Sequence, residues 1–223
     1  MGSVSLTLKF FGLAFSALLP LVNPLGSALV FLGLVGRAPE SFYHTLSRRI
    51  AINTTFFLLF IEIAGTAVLS FFGISLHVVQ VAGGLVLASM GWSLLNQKEA
   101  ETDRPEADVA ETRTKSLEQN AFYPLTFPVT AGPGCIVVML TLSAHASTNL
   151  LQRVLSHLGI LLAVIVLSAL VYVCYAFAPR IETKISPQTA QGVLRVIAFV
   201  LLCIGVQIFW QGAEPLLKEL LKS

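Results

Sequence analysis

Long apolar runs, separated by short polar or charged segments, make up most of the chain. A helix needs about 20 apolar residues to cross a bilayer, and each of these runs reaches that length. We predict six transmembrane spans, with the approximate bounds 5–36, 49–72, 74–95, 122–146, 152–178 and 189–210. Because 55% of the residues are hydrophobic and only 12% are charged, too little of the chain remains for a soluble domain. The predicted fold class is therefore all-α, as a polytopic membrane protein.

Two of the runs, the first and the fourth, are interrupted by proline and glycine. The first contains LLPLVNPLG at 18–26, and the fourth contains FPVTAGPG at 127–134. Proline removes a backbone donor and clashes with the preceding helical turn. Unpaired backbone groups are costly in lipid, so a broken helix is tolerated mainly where it lines a cavity or is covered by protein. We predict that the first and fourth helices are broken and that the two breaks form one site near the membrane midplane.

The groups at these breaks suit a small zwitterion. The half-helices that follow Pro24 and Pro133 would present N–H groups with partial positive charge to a carboxylate. The unwound carbonyls would accept an ammonium group or a coupling cation. The predicted substrate-binding residues are Asn23, Pro24, Gly26, Thr130, Gly132, Pro133 and Gly134. The alternative is that both breaks are proline kinks that serve only helix bending and packing.

One carboxylate, Glu62, lies well inside a predicted span, in FLLFIEIAGTAV. Acids within a membrane are costly and commonly mark proton pathways, so Glu62 is a candidate for proton coupling. The alternative is that it lies nearer to a membrane interface or bonds to a neighbouring helix. The coupling ion stays open between H⁺ and Na⁺, because carbonyl-lined breaks suit a cation whereas a carboxylate suits a proton.

The two halves of the chain resemble each other. Each contains a long broken span, a span with arginine near its start and a third span with glycine near its end, and in the third spans Gly91 aligns with Gly205. The predicted units are a first three-helix repeat (1–96), a charged linker (97–119) and a second three-helix repeat (120–223). Three spans per half turn the second repeat upside down, as in many secondary transporters. The small residues Gly84, Ala88 and Gly91 are typical of a helix-packing stripe, within the chain or between two copies.

The distribution of positive charge indicates how the chain lies in the membrane. Most lysines and arginines fall in the first, third and fifth connections between spans, among them Arg48, Lys98 and Arg180. Cytoplasmic loops carry an excess of these residues. We therefore predict that the 97–119 linker is cytoplasmic and that both termini lie on the opposite side.

No motif in the sequence predicts catalysis. Walker, nucleophile-elbow, zinc and dinucleotide-binding signatures are absent, so we expect no enzyme activity, no cofactor and no metal site. The balance of 14 Lys and Arg against 12 Asp and Glu does not predict nucleic-acid binding. The expected partners are a small-molecule substrate and membrane lipid, and the sequence leaves a homo-oligomer open.

The motifs at both breaks and near the end of the chain resemble those of the MarC family of bacterial inner-membrane proteins. The resemblance covers essentially the whole chain and rests on NPLGSALVFLGL at 23–34, PLTFPVTAGPG at 124–134 and LLCIGVQIFWQG at 201–212. It implies a six-span protein of the bacterial inner membrane, in the LysE-like group of transporters. In that membrane the termini whose side is predicted from the charges would be periplasmic. One archaeal branch of that family is described as transporting small neutral amino acids. The motif residues to which the resemblance extends are Asn23, Pro24, Gly26, Gly132, Pro133 and Gly134, whereas Glu62 belongs to no motif of the family.

The residues and the resemblance together predict secondary transport of a small zwitterionic solute, with a neutral amino acid as the expected substrate, by alternating access at a midplane site. The alternative is a non-transporting membrane scaffold or regulatory protein. The identity of the substrate and the choice between uptake and export stay open.

Overall fold

The computed structural model describes residues 2–36, 38–96, 117, 120–144, 149–184 and 187–221. In these ranges every assigned element is a helix. The helices are α1 (Gly2–Val22), α2 (Pro24–Val35), α3 (Glu40–Phe71), α4 (Leu76–Leu95), α5 (Ala121–Thr130), α6 (Pro133–Ala144), α7 (Leu150–Ala176), α8 (Ala178–Lys184) and α9 (Pro187–Leu220). The all-α prediction is confirmed. Apart from Leu117, the predicted 97–119 linker lies outside the described residues.

Five helical stretches of the described chain are long and apolar enough to cross a membrane. They are Val4–Val35, Glu40–Phe71, Leu76–Leu95, Leu150–Ala176 and Gln191–Leu220. The pair α5 and α6 makes a sixth if it counts as one span, and it is bent by 69°. The predicted number of spans is therefore matched by five helical stretches, the first of which contains the break between α1 and α2, and one sharply bent pair.

Two helices extend beyond the predicted bounds of their apolar runs. The second span begins at Glu40 rather than near residue 49, because its first turns also pack: Tyr43 and Leu46 are buried. The last helix continues to Leu220 rather than ending near residue 210. Lys218 Nζ lies 2.6 Å from Glu214 Oε1 in this extension. Both helices therefore extend beyond their apolar runs, and side-chain contacts stabilise the extensions.

The core of the bundle surrounds α7, which packs against α1, α2 and α3. At one end of the bundle Arg180, in α8, lies 2.6 Å from Glu40 Oε1 at the start of α3. We call this the Glu40 end, and we call the opposite end, which contains the turn at 72–75, the turn end. Since the start of α3 meets the segment that follows α7, these two helices are antiparallel.

Glycines bring α4 and α9 into backbone contact. A Cβ added at Gly84 would lie 2.4 Å from Phe209 N, and one added at Gly205 would lie 2.4 Å from Ala88 N. One added at Gly91 would lie 2.6 Å from Leu202 N and 2.8 Å from Ala198 O, and one added at Gly212 would lie 2.8 Å from Val81 N and 2.5 Å from His77 O. By these contacts Gly84 and Gly205 hold equivalent positions on the two helices, and so do Gly91 and Gly212. This register differs from the alignment of Gly91 with Gly205. The small residues of α4 serve this contact within the chain.

Large apolar side chains cover the outside of the bundle. Phe56, Phe60, Ile63 and Phe71 on α3 alone are between 62% and 85% exposed. In water such a continuous apolar surface would drive association, whereas in a bilayer it faces lipid tails at no cost. The surface therefore fits a protein that is embedded in lipid.

Candidate functional site

The first break is centred on Asn23, which separates α1 from α2. Its backbone is left-handed, with φ 42° and ψ 65°, a conformation that asparagine tolerates better than most residues. Its side-chain Oδ1 accepts a hydrogen bond from Gly26 N at 3.1 Å, so it caps the half-helix that begins at Pro24. Ser27 Oγ lies 3.0 Å from Val22 O and 2.7 Å from Asn23 O. The polar groups of this break are thus largely paired with one another.

The second break is more severe. The helix α5 is wide and irregular, with non-helical backbone angles at Tyr123 and Phe127. Two prolines in α5 lack N–H donors, and threonine hydroxyls donate in this segment: Thr126 Oγ1 to Ala121 O at 3.0 Å and Thr130 Oγ1 to Leu125 O at 2.6 Å. The chain then turns by 69° before α6 begins at Pro133. Both predicted broken spans are therefore present, but their bends are unequal.

A tyrosine from α7 connects the two breaks. The hydroxyl of Tyr175 lies 2.8 Å from Thr130 Oγ1, beside the second break. It also interacts with the side chain of Ser27, beside the first break. Tyr175 and Thr130 are fully buried, Ser27 is 7% exposed, and the ring of Tyr175 stacks on Phe31 with centroids 4.6 Å apart. We call Ser27, Thr130 and Tyr175 the hydroxyl cluster.

The hydroxyl cluster and its carbonyl neighbours contain more acceptors than donors. Each hydroxyl has a single hydrogen and two lone pairs. Ser27 Oγ contacts the carbonyls of Val22 and Asn23. Thr130 Oγ1 contacts the carbonyl of Leu125. The three hydroxyl hydrogens, together with the Ser27 N–H that donates to Asn23 O, are shared among six oxygen atoms, and the excess of lone pairs favours a guest that brings hydrogens or positive charge, such as an ammonium group.

A small cavity adjoins the second break. Its volume is about 20 Å³, and its walls are formed by Leu21, Leu87, Met90, Gly132, Gly134, Cys135 and Leu201. A space of this size holds about one water molecule. Of the predicted substrate-binding residues only Gly132 and Gly134 line it, whereas Asn23, Pro24, Gly26, Thr130 and Pro133 do not. Leu21 lies just before the first break, so the cavity contacts both broken spans, together with α4 and α9.

Glu62 lies in a different part of the bundle. Its Oε1 is 2.5 Å from Nδ1 of His157 on α7, and its backbone carbonyl accepts a hydrogen bond from Ser143 on α6 at 3.1 Å. Ser143 lies nine positions after Gly134 on α6, which is about 13 Å along the helix. Glu62 therefore bonds to neighbouring helices and is not part of the site at the breaks.

Sequence reasoning missed two residues that the structure places in contact with predicted ones. Tyr175 lies in the apolar stretch VYVCYAF, and His157 lies in LQRVLSH near the start of the predicted fifth span. A buried tyrosine hydroxyl usually has a hydrogen-bond partner, so its presence was a signal. The partner itself comes from a distant helix, which the local pattern does not name. In the described ranges no group of three or more His, Cys, Asp or Glu is placed to hold a metal ion.

Comparisons with known proteins agree with this architecture. The family model described as "MarC family integral membrane protein" matches residues 8–217. The chain is 31% identical over 219 residues to "UPF0056 inner membrane protein MarC" of Escherichia coli strain SMS-3-5, covering 94% of this chain and 96% of the relative. It is 30% identical over the same length to the protein of that name from strain K12. No solved structure matches the chain at a significant level. The matched family is not a known enzyme family, and the chain is a member of the MarC family of integral membrane proteins.

Proposed function

We propose that this protein is a secondary transporter of a small zwitterionic solute, a neutral amino acid, which binds between the two broken spans. The observation that carries the proposal is the hydroxyl cluster, because it joins elements beside both breaks at positions that are buried. Buried polar groups in a membrane protein are costly and commonly mark a substrate or ion pathway. Broken helices whose ends meet at a binding site are a recurring arrangement in transporters.

The chemistry of the two sides of the site matches the two charges of a zwitterion. The excess of oxygen lone pairs around Ser27, Thr130 and Tyr175 suits an ammonium group, which brings three hydrogens. The start of α6 lines the cavity at Gly134, and a helix N-terminus suits a carboxylate. The start of α2 is less available, because Asn23 already accepts from Gly26 N. We therefore place the carboxylate at α6 and the ammonium group toward the hydroxyl cluster.

Binding requires the site to open, because a cavity of about 20 Å³ is too small for an amino acid. The turn at 131–132, where the chain bends by 69°, is the natural hinge. A Cβ added at Gly132 would lie 3.3 Å from the backbone oxygen of Pro128, which is tighter than an ordinary contact, so the close turn favours glycine at this position. A solute that binds the open form better than the closed form shifts the population toward opening, which is the basis of alternating access.

The membrane setting extends the same proposal. The relatives are named as inner-membrane proteins, and we propose the same location for this multi-pass chain, with lipid against the exposed apolar surface. No cofactor enters the proposed transport cycle. A homo-oligomer would need a surface other than the α4 stripe, since Gly84 and Gly91 already contact α9.

The first test is thermal unfolding of the detergent-purified protein in the presence of neutral amino acids, with simple amines and simple carboxylates as single-charge controls. A ligand at a hundredfold excess over its dissociation constant raises the free energy of unfolding by about 2.7 kcal/mol. We expect one or more neutral amino acids, but neither single-charge control, to raise the unfolding temperature. Tyr175→Phe should abolish this shift, because it removes the hydroxyl that connects the two breaks.

Tyr172→Phe is the matched control. It makes the same change on the same helix one turn earlier, where the hydroxyl contacts His44 at 3.3 Å, outside the cluster. The proposal requires that Tyr172→Phe keep the ligand-induced shift and that uptake into proteoliposomes follow the same pattern. If no amino acid raises the unfolding temperature of the wild-type protein and none enters proteoliposomes, transport of a zwitterion is refuted. A non-transporting scaffold is then the better hypothesis.

A further inference from the structure

We propose that Glu62 and His157 form the proton-binding site that couples transport to a proton gradient. The consequence for coupling rests on the proposed function, whereas proton binding by the pair does not. The two side chains come from α3 and α7 and meet in the half of the bundle nearer the turn end, with Oε1 and Nδ1 2.5 Å apart.

Burial and hydrogen bonding set this carboxyl group apart from the other described acids. The side chain of Glu62 is 4% exposed, and that of His157 is 36% exposed. One oxygen, Oε1, is held by His157, and the other, Oε2, is buried with no hydrogen-bond partner. A buried charge is retained only when it is paired, and otherwise the group takes up a proton. Oε2 is therefore the atom that receives an added proton, while His157 connects the pair to the surface.

The surroundings of the pair favour a proton over a sodium ion. The helix α6 contributes the Ser143 hydroxyl, which is bonded to the Glu62 carbonyl. On α7 the other charged residue nearby in sequence is Arg153, one turn from His157, and α5 carries no acid or base except the exposed Tyr123. Hard cations bind to several oxygen ligands, whereas here an imidazole nitrogen occupies one carboxylate oxygen. Histidine beside a carboxylate is instead a common proton carrier.

A single short helix links this pair to the transport site. One end of α6 lines the cavity at Gly134, and near its other end Ser143 bonds to Glu62. A Cβ added at Gly65 would lie 2.4 Å from Leu140 Cδ2, so α6 packs closely on α3 one turn from Glu62. Proton uptake or release changes the contact between α3 and α7, and α6 transmits that change to the bend at 131–132. The proton would in this way bias the opening of the site.

The direct test is a pH-difference infrared titration of the purified protein, in which a protonated carboxyl group gives its own C=O stretching band. We expect a carboxyl band that titrates in the wild-type protein, disappears in Glu62→Gln and is displaced in frequency or in midpoint pH in His157→Gln. Glu40→Gln is the matched control, since it removes an exposed acid from the same helix and should leave the band in place. Glu62→Asp keeps the acid and should keep a titrating band. A band that persists in Glu62→Gln, or the absence of any titrating buried carboxyl, would overturn the proposal.

A second arm measures coupling in proteoliposomes. We expect the wild-type protein and Glu40→Gln to accumulate the solute against its gradient when a pH gradient is imposed, and Glu62→Gln to lose this accumulation. Equal accumulation by Glu62→Gln and wild type would refute coupling at this site while leaving the transport function standing. If the wild-type protein moves no solute, the proposed function fails, and the infrared titration alone decides whether the pair binds the proton.

Discussion

At the scale of single residues, Asn23 allows the first span to break without leaving its backbone unpaired. Its N–H donates to Leu19 O at 2.9 Å, its carbonyl accepts from Ser27 N at 2.9 Å, and its side chain caps α2 through Gly26 N. In lipid there is no water to replace any of these bonds. Asn23 therefore has a structural role in addition to any contact with a solute.

Replacing Asn23 separates its backbone role from its capping role. Asn23→Ala loses the cap, which costs about 0.5–2 kcal/mol, and places a residue with a Cβ but no polar group in a left-handed conformation, which costs about 1–2 kcal/mol more. Asn23→Gly also loses the side-chain cap but accepts the positive φ, so its loss should be only a few tenths of a kcal/mol. Thermal unfolding in detergent measures both. Equal stability of the alanine and glycine variants would contradict the assigned conformation.

At the scale of elements, α4 and α9 form the closest contact in the described bundle between two helices that both contribute glycines to the interface. Gly84 and Gly91 on one helix, and Gly205 and Gly212 on the other, each approach backbone atoms of the partner helix. Backbone atoms cannot rotate away as side chains do. Packing of this kind replaces the hydrophobic effect, which does not drive helices together in lipid.

Adding one methyl group to this interface should separate the helices. In Gly205→Ala the new Cβ would lie 2.4 Å from Ala88 N, and overpacking of this kind costs about 1–3 kcal/mol or more. Gly192→Ala is the matched control on the same helix, because a Cβ there meets nothing within 4 Å. The measurement is the unfolding temperature in detergent. It should be clearly lower for Gly205→Ala than for the wild-type protein, and it should not be lowered for Gly192→Ala. A neutral Gly205→Ala would mean that α4 and α9 are not in contact at this position.

At the scale of the whole molecule, several packed helix pairs exchange between the two predicted halves. Exchanging the first span with the fourth and the second with the fifth converts the α1–α7 contact into α5–α3. The same exchange converts α2–α7 into α6–α3, and all four contacts are present. Together with the exchanged glycine contacts of α4 and α9, this supports the prediction of two inverted halves. The relation between the complete halves stays a prediction.

The orientation in the membrane can be tested with a reporter that fluoresces only when it folds in the cytoplasm. We expect a fusion after the last residue to stay dark and an insertion into the 97–119 segment to fluoresce, because cytoplasmic loops carry the excess of Lys and Arg. The Glu40–Arg180 contact requires only that the first and fifth connections share one side. A fluorescent fusion after the last residue would reverse the predicted orientation without changing the fold.

The sequence by itself determined the helical class, the approximate spans and the positions of both breaks, because hydropathy and proline act locally along the chain. NPLG and TAGPG marked where the backbone leaves the helix, and α2 and α6 begin at Pro24 and Pro133. The sequence did not indicate that the two broken spans differ. The first stays nearly continuous, whereas the span formed by α5 and α6 bends by 69°. That difference depends on hydrogen bonds and irregular backbone angles which appear only once the segments are folded.

The tertiary structure alone decided which residues meet. Tyr175 reaches Thr130, 45 positions away in the chain, and His157 reaches Glu62, 95 positions away. The register of Gly84 against Gly205 depends likewise on how two helices slide past each other. Local sequence patterns indicate whether a segment is apolar or broken. They do not predict which face of a distant helix supplies the partner for a buried polar atom. Packing makes that choice, because in lipid each buried hydroxyl or carboxyl group that lacks a partner costs free energy.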